Sequence, residues 1–129
     1  MNYKLILGAL ISIIYVSCQV NESIDKDLGT QATESTTQQQ GAQLFLQYCA
    51  SCHNPMKDET GPALKGLIHR VPDKQWIYSF IKNSAKVISE GDPYANELWL
   101  KWNKVAMPHF PNLSNREIDA IMDHCGAYE

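Results

Sequence analysis

Cys49-Ala50-Ser51-Cys52-His53 places two thiols three residues apart, with an imidazole directly after the second. Such a run can do three kinds of chemistry. Both sulfurs can form thioethers to the vinyl groups of a haem while the imidazole approaches the iron from one face, the c-type arrangement. Cys, Cys and His are also good zinc ligands, and a cysteine pair near a helix end can cycle between dithiol and disulfide. The haem reading is favoured. For zinc, the remaining donors are the remote His69, His109, His124 and Cys125, none at a closed-site spacing. For dithiol chemistry, no thioredoxin-like strand–helix context surrounds the pair.

A haem iron that only passes electrons needs a sixth ligand. Met107, in Val105-Ala106-Met107-Pro108, is the expected one. A thioether is soft, favours ferrous iron and so raises the reduction potential. Pro108 restricts the backbone beside it and would help hold the loop over the ring. His109 is the alternative ligand. No acid–base pair for substrate chemistry accompanies the motif, since Asp92 and Glu97 read as a helix cap and a solvated group.

These residues need elements to position them. Over residues 41–129 the pattern predicts an all-α domain of about four short helices joined by long loops. Leu44, Phe45 and Tyr48 share one side of a first helix that ends near the cysteines. Gly61-Pro62 breaks the stretch that follows. A second helix is expected over 73–86, with Trp76, Ile77, Phe80 and Ile81 at helical spacing. Asp92-Pro93 has the chemistry of an N-cap followed by a helix-compatible proline. Leu98, Trp99 and Trp102 form the face of this third helix. Ser114-Asn115-Arg116-Glu117 fits a capping box, with Leu113 as a hydrophobic staple on Ile118. Ile118, Ile121, Met122 and Cys125 make the inward stripe of the last helix, and Gly126 stops it. A domain this small gains much of its packing from a large apolar cofactor.

The N-terminal part reads differently. Lys4 precedes an apolar run from Leu5 to Val16, too short to span a bilayer, and residues 1–17 are expected to be a signal peptide. Val16-Ser17-Cys18 resembles a bacterial lipoprotein cleavage box, although Tyr15 stands where an aliphatic residue is usual. Cys18 would then be acylated and anchor the protein to a membrane. Residues 18–40 are polar and expected to form a flexible tether. The expected location is extracytoplasmic in a bacterium, facing the periplasm or the cell surface. A net charge of -3 with scattered basic residues gives no reason to expect a nucleic-acid partner.

Order and spacing across 41–129 resemble the class I, mono-haem cytochrome c family, with the N-terminus suggesting a lipid-anchored bacterial member. Gly41 and Phe45 are similar to the family's glycine and aromatic on the first helix. Gly61-Pro62-Ala63-Leu64 resembles the segment whose proline carbonyl accepts the second ring proton of the proximal histidine, which assigns that role to Pro62. The resemblance implies that Arg70 lies near a haem propionate, that Trp76 lines the haem edge, and that Leu98 and Trp102 precede the distal loop. It implies one covalent haem c and the cytochrome c fold. Two positions depart from the pattern. His124 stands where an aromatic commonly packs on the first helix, and is expected to pack rather than ligate. Cys125 is an extra thiol, expected to act as a small buried hydrophobe, with an intermolecular disulfide as the alternative.

The function expected from all this is one-electron transfer, Fe(III)/Fe(II), between membrane or extracytoplasmic redox proteins of a respiratory or other electron-transfer chain. The alternatives are a peroxidase-like enzyme with an open distal position, and a haem sensor or accessory subunit. An electron carrier is favoured over a stand-alone enzyme.

Overall fold

A computed structural model describes residues 25–105 and 107–129, with the backbone alone described over 25–35. The expected signal peptide and Cys18 lie outside the described residues. Among the described residues, four α-helices follow in order: α1, Asp25–Tyr48; α2, Lys74–Ser89; α3, Pro93–Lys101; and α4, Asn115–His124. A single 3₁₀ turn, Leu67–His69, sits between α1 and α2. No strand is present among the described residues. The all-α expectation holds, and α1 is longer than anticipated. Its N-terminal part overlaps the stretch expected to be a tether, and residues 36–40 are solvent-exposed. Gln, Thr and Ala there permit helical backbone without supplying an apolar stripe.

The starts of α3 and α4 follow their sequence signals, and α2 begins one residue after the expected position with Asp73 as its cap. Asp73 caps α2 by accepting the Trp76 N–H at 2.7 Å, and Asp92 caps α3 through the Ala95 N–H at 2.7 Å, with Pro93 opening the helix. Ser114 and Glu117 form a reciprocal capping box at α4, with Leu113 buried beside it. Gly126, at φ 62°, takes the left-handed turn that ends this helix. The inward stripe is as expected, with Ile118, Ile121, Met122 and Cys125 all in the core.

α1 packs on α4, and α2 on α3. The first crossing is close because Gly41 has no side chain: a Cβ there would stand 2.0 Å from the Ala120 carbonyl oxygen. Below it, Phe45 and His124 meet at 5.7 Å between ring centroids, so His124 packs against α1 as expected. Burial pushes the Cys125 thiol up to about 12, with the nearby Cys49 adding to the effect. It is a neutral, apolar group of the core. The C-terminal segment ties down the loop before α2, with Gly66 N–H on the Gly126 carbonyl and Ile68 N–H on that of Ala127, both at 2.9 Å.

Asp119 links α4 to α2 and to the chain end. Its carboxylate accepts from the Tyr78 and Tyr128 hydroxyls at 2.7 Å and from Lys74 at 2.9 Å. Burial alone would raise its pKa, but the three donors outweigh that and hold it below the usual carboxylate range. A depressed carboxyl stabilises the fold above its unfolded value of about 3.9 and loses that contribution as pH falls further. Asp119→Asn is therefore expected to lower the urea midpoint at about pH 6, with the gap to wild type narrowing as the pH falls below the usual carboxylate range.

Candidate haem site

Residues 49–53 leave α1 in a tight turn. The Cys52 and His53 N–H groups both donate to the Cys49 carbonyl, at 3.1 and 2.9 Å. Cys49, Cys52 and His53 are thereby gathered on one wall of a crevice made of two adjoining cavities of about 120 and 140 Å³. Burial pushes the Cys49 thiol up to about 11. A thioether sulfur is uncharged and suits the same burial. Among the described residues, no group of three or more His, Cys, Asp or Glu side chains is assembled in the way a zinc site requires.

His53 is held from two sides. Its Nδ1 lies 2.9 Å from the Pro62 carbonyl oxygen. A carbonyl can only accept, so Nδ1 carries the proton and Nε2 keeps its lone pair for a metal. Gly61 lies flat against the ring, where a Cβ would stand 2.4 Å from Cε1 and 2.8 Å from Nδ1. Gly61→Ala is expected to turn the imidazole off the Pro62 carbonyl. The visible spectrum of the haem-loaded protein should then show a mixed or weakened proximal ligation, while Gly91→Ala, with nothing within 4 Å, leaves it unchanged.

Met107, Pro62 and Trp102 line both cavities, and Arg70 and Trp76 line the larger. Every site residue named from the sequence, Cys18 apart, therefore borders one crevice. His109 is solvent-exposed and borders neither cavity. His69 is occupied elsewhere, its Nε2 2.8 Å from the Glu129 carbonyl oxygen.

Two atoms test whether a haem fits. The indole N–H groups of Trp76 and Trp102 are buried and find no acceptor among the described residues. Buried donors are nearly always paired, and each one left alone costs about 1–3 kcal/mol. Haem propionates would supply the acceptors. Arg70 adds positive charge on the same cavity, its guanidinium fixed by the Ala63 and Lys65 carbonyls at 2.6 and 3.0 Å. Asp58 and Lys101 also border this cavity, and most of the remaining lining is apolar and aromatic: Phe80 stacks on Trp76 at 4.6 Å, and Tyr94 meets Trp76 edge-on at 5.1 Å. The donor set, the two unpaired indoles and the apolar lining all fit a haem.

One contributor was not foreseen. Ser84 borders the smaller cavity, is 1% exposed and donates to the Met107 carbonyl at 3.0 Å. The expected second helix is broken beside it, because Asn83 has non-helical torsions. The adjacent Asn and Ser in a helix interior, both of which compete for backbone hydrogen bonds, were the available signal.

Residues 36–124 match the family described as cytochrome c oxidase, cbb3-type, subunit III. The chain belongs to that family. Among solved structures, a cytochrome c from Rhodothermus marinus is similar at 26% identity over 84% of this chain and 83% of that one, with a TM-score of 0.58. An engineered cytochrome c from the same organism gives 25% identity over 88% and 89% of the two chains, TM-score 0.59. Another engineered form, bound to a carbene intermediate, gives 25% over 88% of each chain, TM-score 0.57. No curated protein matches. The fold is therefore that of a class I, mono-haem cytochrome c, its cofactor is covalently bound haem c, and its work is haem-based electron transfer.

Proposed function

We propose that this cytochrome c domain is a one-electron carrier cycling between Fe(III) and Fe(II), with His53 and Met107 as axial ligands and Cys49 and Cys52 as the thioether donors. Bound haem c supplies the redox couple. The chain supplies everything that tunes it. Pro62 and Gly61 hold the imidazole by its Nδ1 side and leave Nε2 as the ligating nitrogen, and a histidine whose second nitrogen donates to a carbonyl is the stronger donor. The Met107 thioether favours the ferrous state. The largely apolar lining would keep water away from a bound iron, and Arg70, Trp76 and Trp102 would hold the haem's acidic edge.

The observation that carries this reading is that Met107 borders the same crevice as His53 while His109 is exposed outside it. With His53 and Met107 both ligating, direct substrate chemistry would be disfavoured, which favours the carrier over a peroxidase-like enzyme. A redox titration of the purified protein followed by absorption tests it. Reversible one-electron behaviour with a thioether-to-ferric band in the red is expected. A bis-histidine spectrum, or rapid peroxide turnover, would overturn it.

The proposed partners are membrane or extracytoplasmic proteins of an electron-transfer chain, with the domain held near them by acylated Cys18 and the residues that follow. Among the described residues, no helix is long and apolar enough to cross a membrane. Mass spectrometry of the mature protein decides the anchor: an N-terminal acylated Cys18 is expected, and an unmodified N-terminus downstream of Cys18 would remove it.

A further inference from the structure

We propose that the break in α2 at Asn83 and Ser84 is a clamp that sets how far Met107 reaches towards the iron, an inference resting on the reading of Met107 as axial ligand. α2 contains neither proline nor glycine, yet Asn83 leaves the helix at φ -159° and ψ 80°. Breaks of this kind have identifiable causes, and here the cause is what the break holds. The Asn83 Oδ1 accepts the Lys86 N–H at 3.0 Å and restarts the helix as an N-cap would. The Ile81 carbonyl, before the break, accepts the Phe110 N–H at 3.2 Å. The Ser84 hydroxyl, after it, donates to the Met107 carbonyl at 3.0 Å. The distal loop is thus fastened to α2 at two points, on Met107 itself and three residues beyond.

The upstream end of the loop needs such a hold. Asn103 and Lys104 stand at φ 54° and 58°, consecutive left-handed residues without a glycine between them. Side chains disfavour that region, and it persists only where surrounding contacts over-determine it. Ser84 is the buried polar side chain of the described core. A serine placed there merely to fill space would gain nothing over alanine, whereas a serine that fixes a ligand backbone keeps the thioether from leaving. Ser84 is a positioning residue: it touches the ligand's main chain and acts through it.

The full-length, haem-loaded protein tests this through carbon monoxide binding to the ferrous form, which requires the thioether to leave, and through the red thioether band of the ferric form. Ser84→Ala removes one buried hydrogen bond and is expected to raise the carbon monoxide binding rate about five- to tenfold, with a weaker red band. Asn83→Ala, at an exposed position, favours an unbroken helix and should move both readouts the same way, and it decides alone where Ser84→Ala takes up no haem. Tyr128→Phe, which loses a hydrogen bond to Asp119 and borders neither cavity, controls for stability and should leave both readouts at wild type. The clamp is overturned if Asn83→Ala, and Ser84→Ala where it loads, match wild type in both readouts while Met107→Ala does not. If Met107→Ala also matches wild type, the ligand assignment itself fails.

Discussion

Met107→Ala is expected to lower the reduction potential by tenths of a volt, within the roughly 0.8 V range over which axial ligands set haem potentials. The thioether stabilises ferrous iron by accepting electron density that a hard oxygen ligand cannot, so its loss shifts the couple towards the ferric side. The same variant should lose the red band and bind carbon monoxide without a preceding dissociation step. Because Met107 is half-buried and its carbonyl, rather than its side chain, is the group held by Ser84, the fold should survive the truncation. Potentiometry with parallel circular dichroism separates the two effects. An unchanged potential in a folded, loaded variant would show that the iron takes its sixth ligand elsewhere.

Gly41→Ala should be the most damaging small substitution in the domain. The added methyl would meet the Ala120 carbonyl oxygen at 2.0 Å and its carbon at 2.6 Å. Neither atom belongs to a flexible side chain, so relief requires α1 and α4 to move apart. Overpacking of a core typically costs about 1–3 kcal/mol, and a backbone collision belongs at or above the upper end. Gly91→Ala makes the contrast. Nothing lies within 4 Å of a Cβ at that site, and only the φ of +86° opposes the side chain, so a cost of about 1 kcal/mol is expected. Urea unfolding of the two variants should rank them clearly. Equal midpoints would mean that the α1–α4 crossing is looser than its geometry implies.

Much of this molecule can be read from local signals, and the reason differs by element. Asp92 and Ser114 announce helix starts because a cap is a contact between residues three apart, complete within the sequence window that encodes it. The inward stripe of α4 is similarly local, since helical periodicity alone decides which residues share a face. The extent of α1 was less legible: residues 36–40 carry no apolar periodicity, and polar composition does not forbid helical backbone. The second helix is present as expected, but its break at Asn83 was not legible, because the hydrogen bonds that the break satisfies belong to Met107 and Phe110, more than twenty residues away in the chain.

The sequence by itself determined the reactive set, because covalent haem attachment needs only Cys49, Cys52 and His53 side by side, and the apolar and aromatic spacing that builds helices around it. Tertiary structure alone decided which distant groups meet that set. It seats the Ser84 hydroxyl on the Met107 carbonyl, turns the Trp76 and Trp102 indoles inward without an acceptor, and lays Gly61 against the imidazole. These are contacts between residues far apart in the chain. They are specified by how helices pack and loops close, which no local pattern of residues encodes.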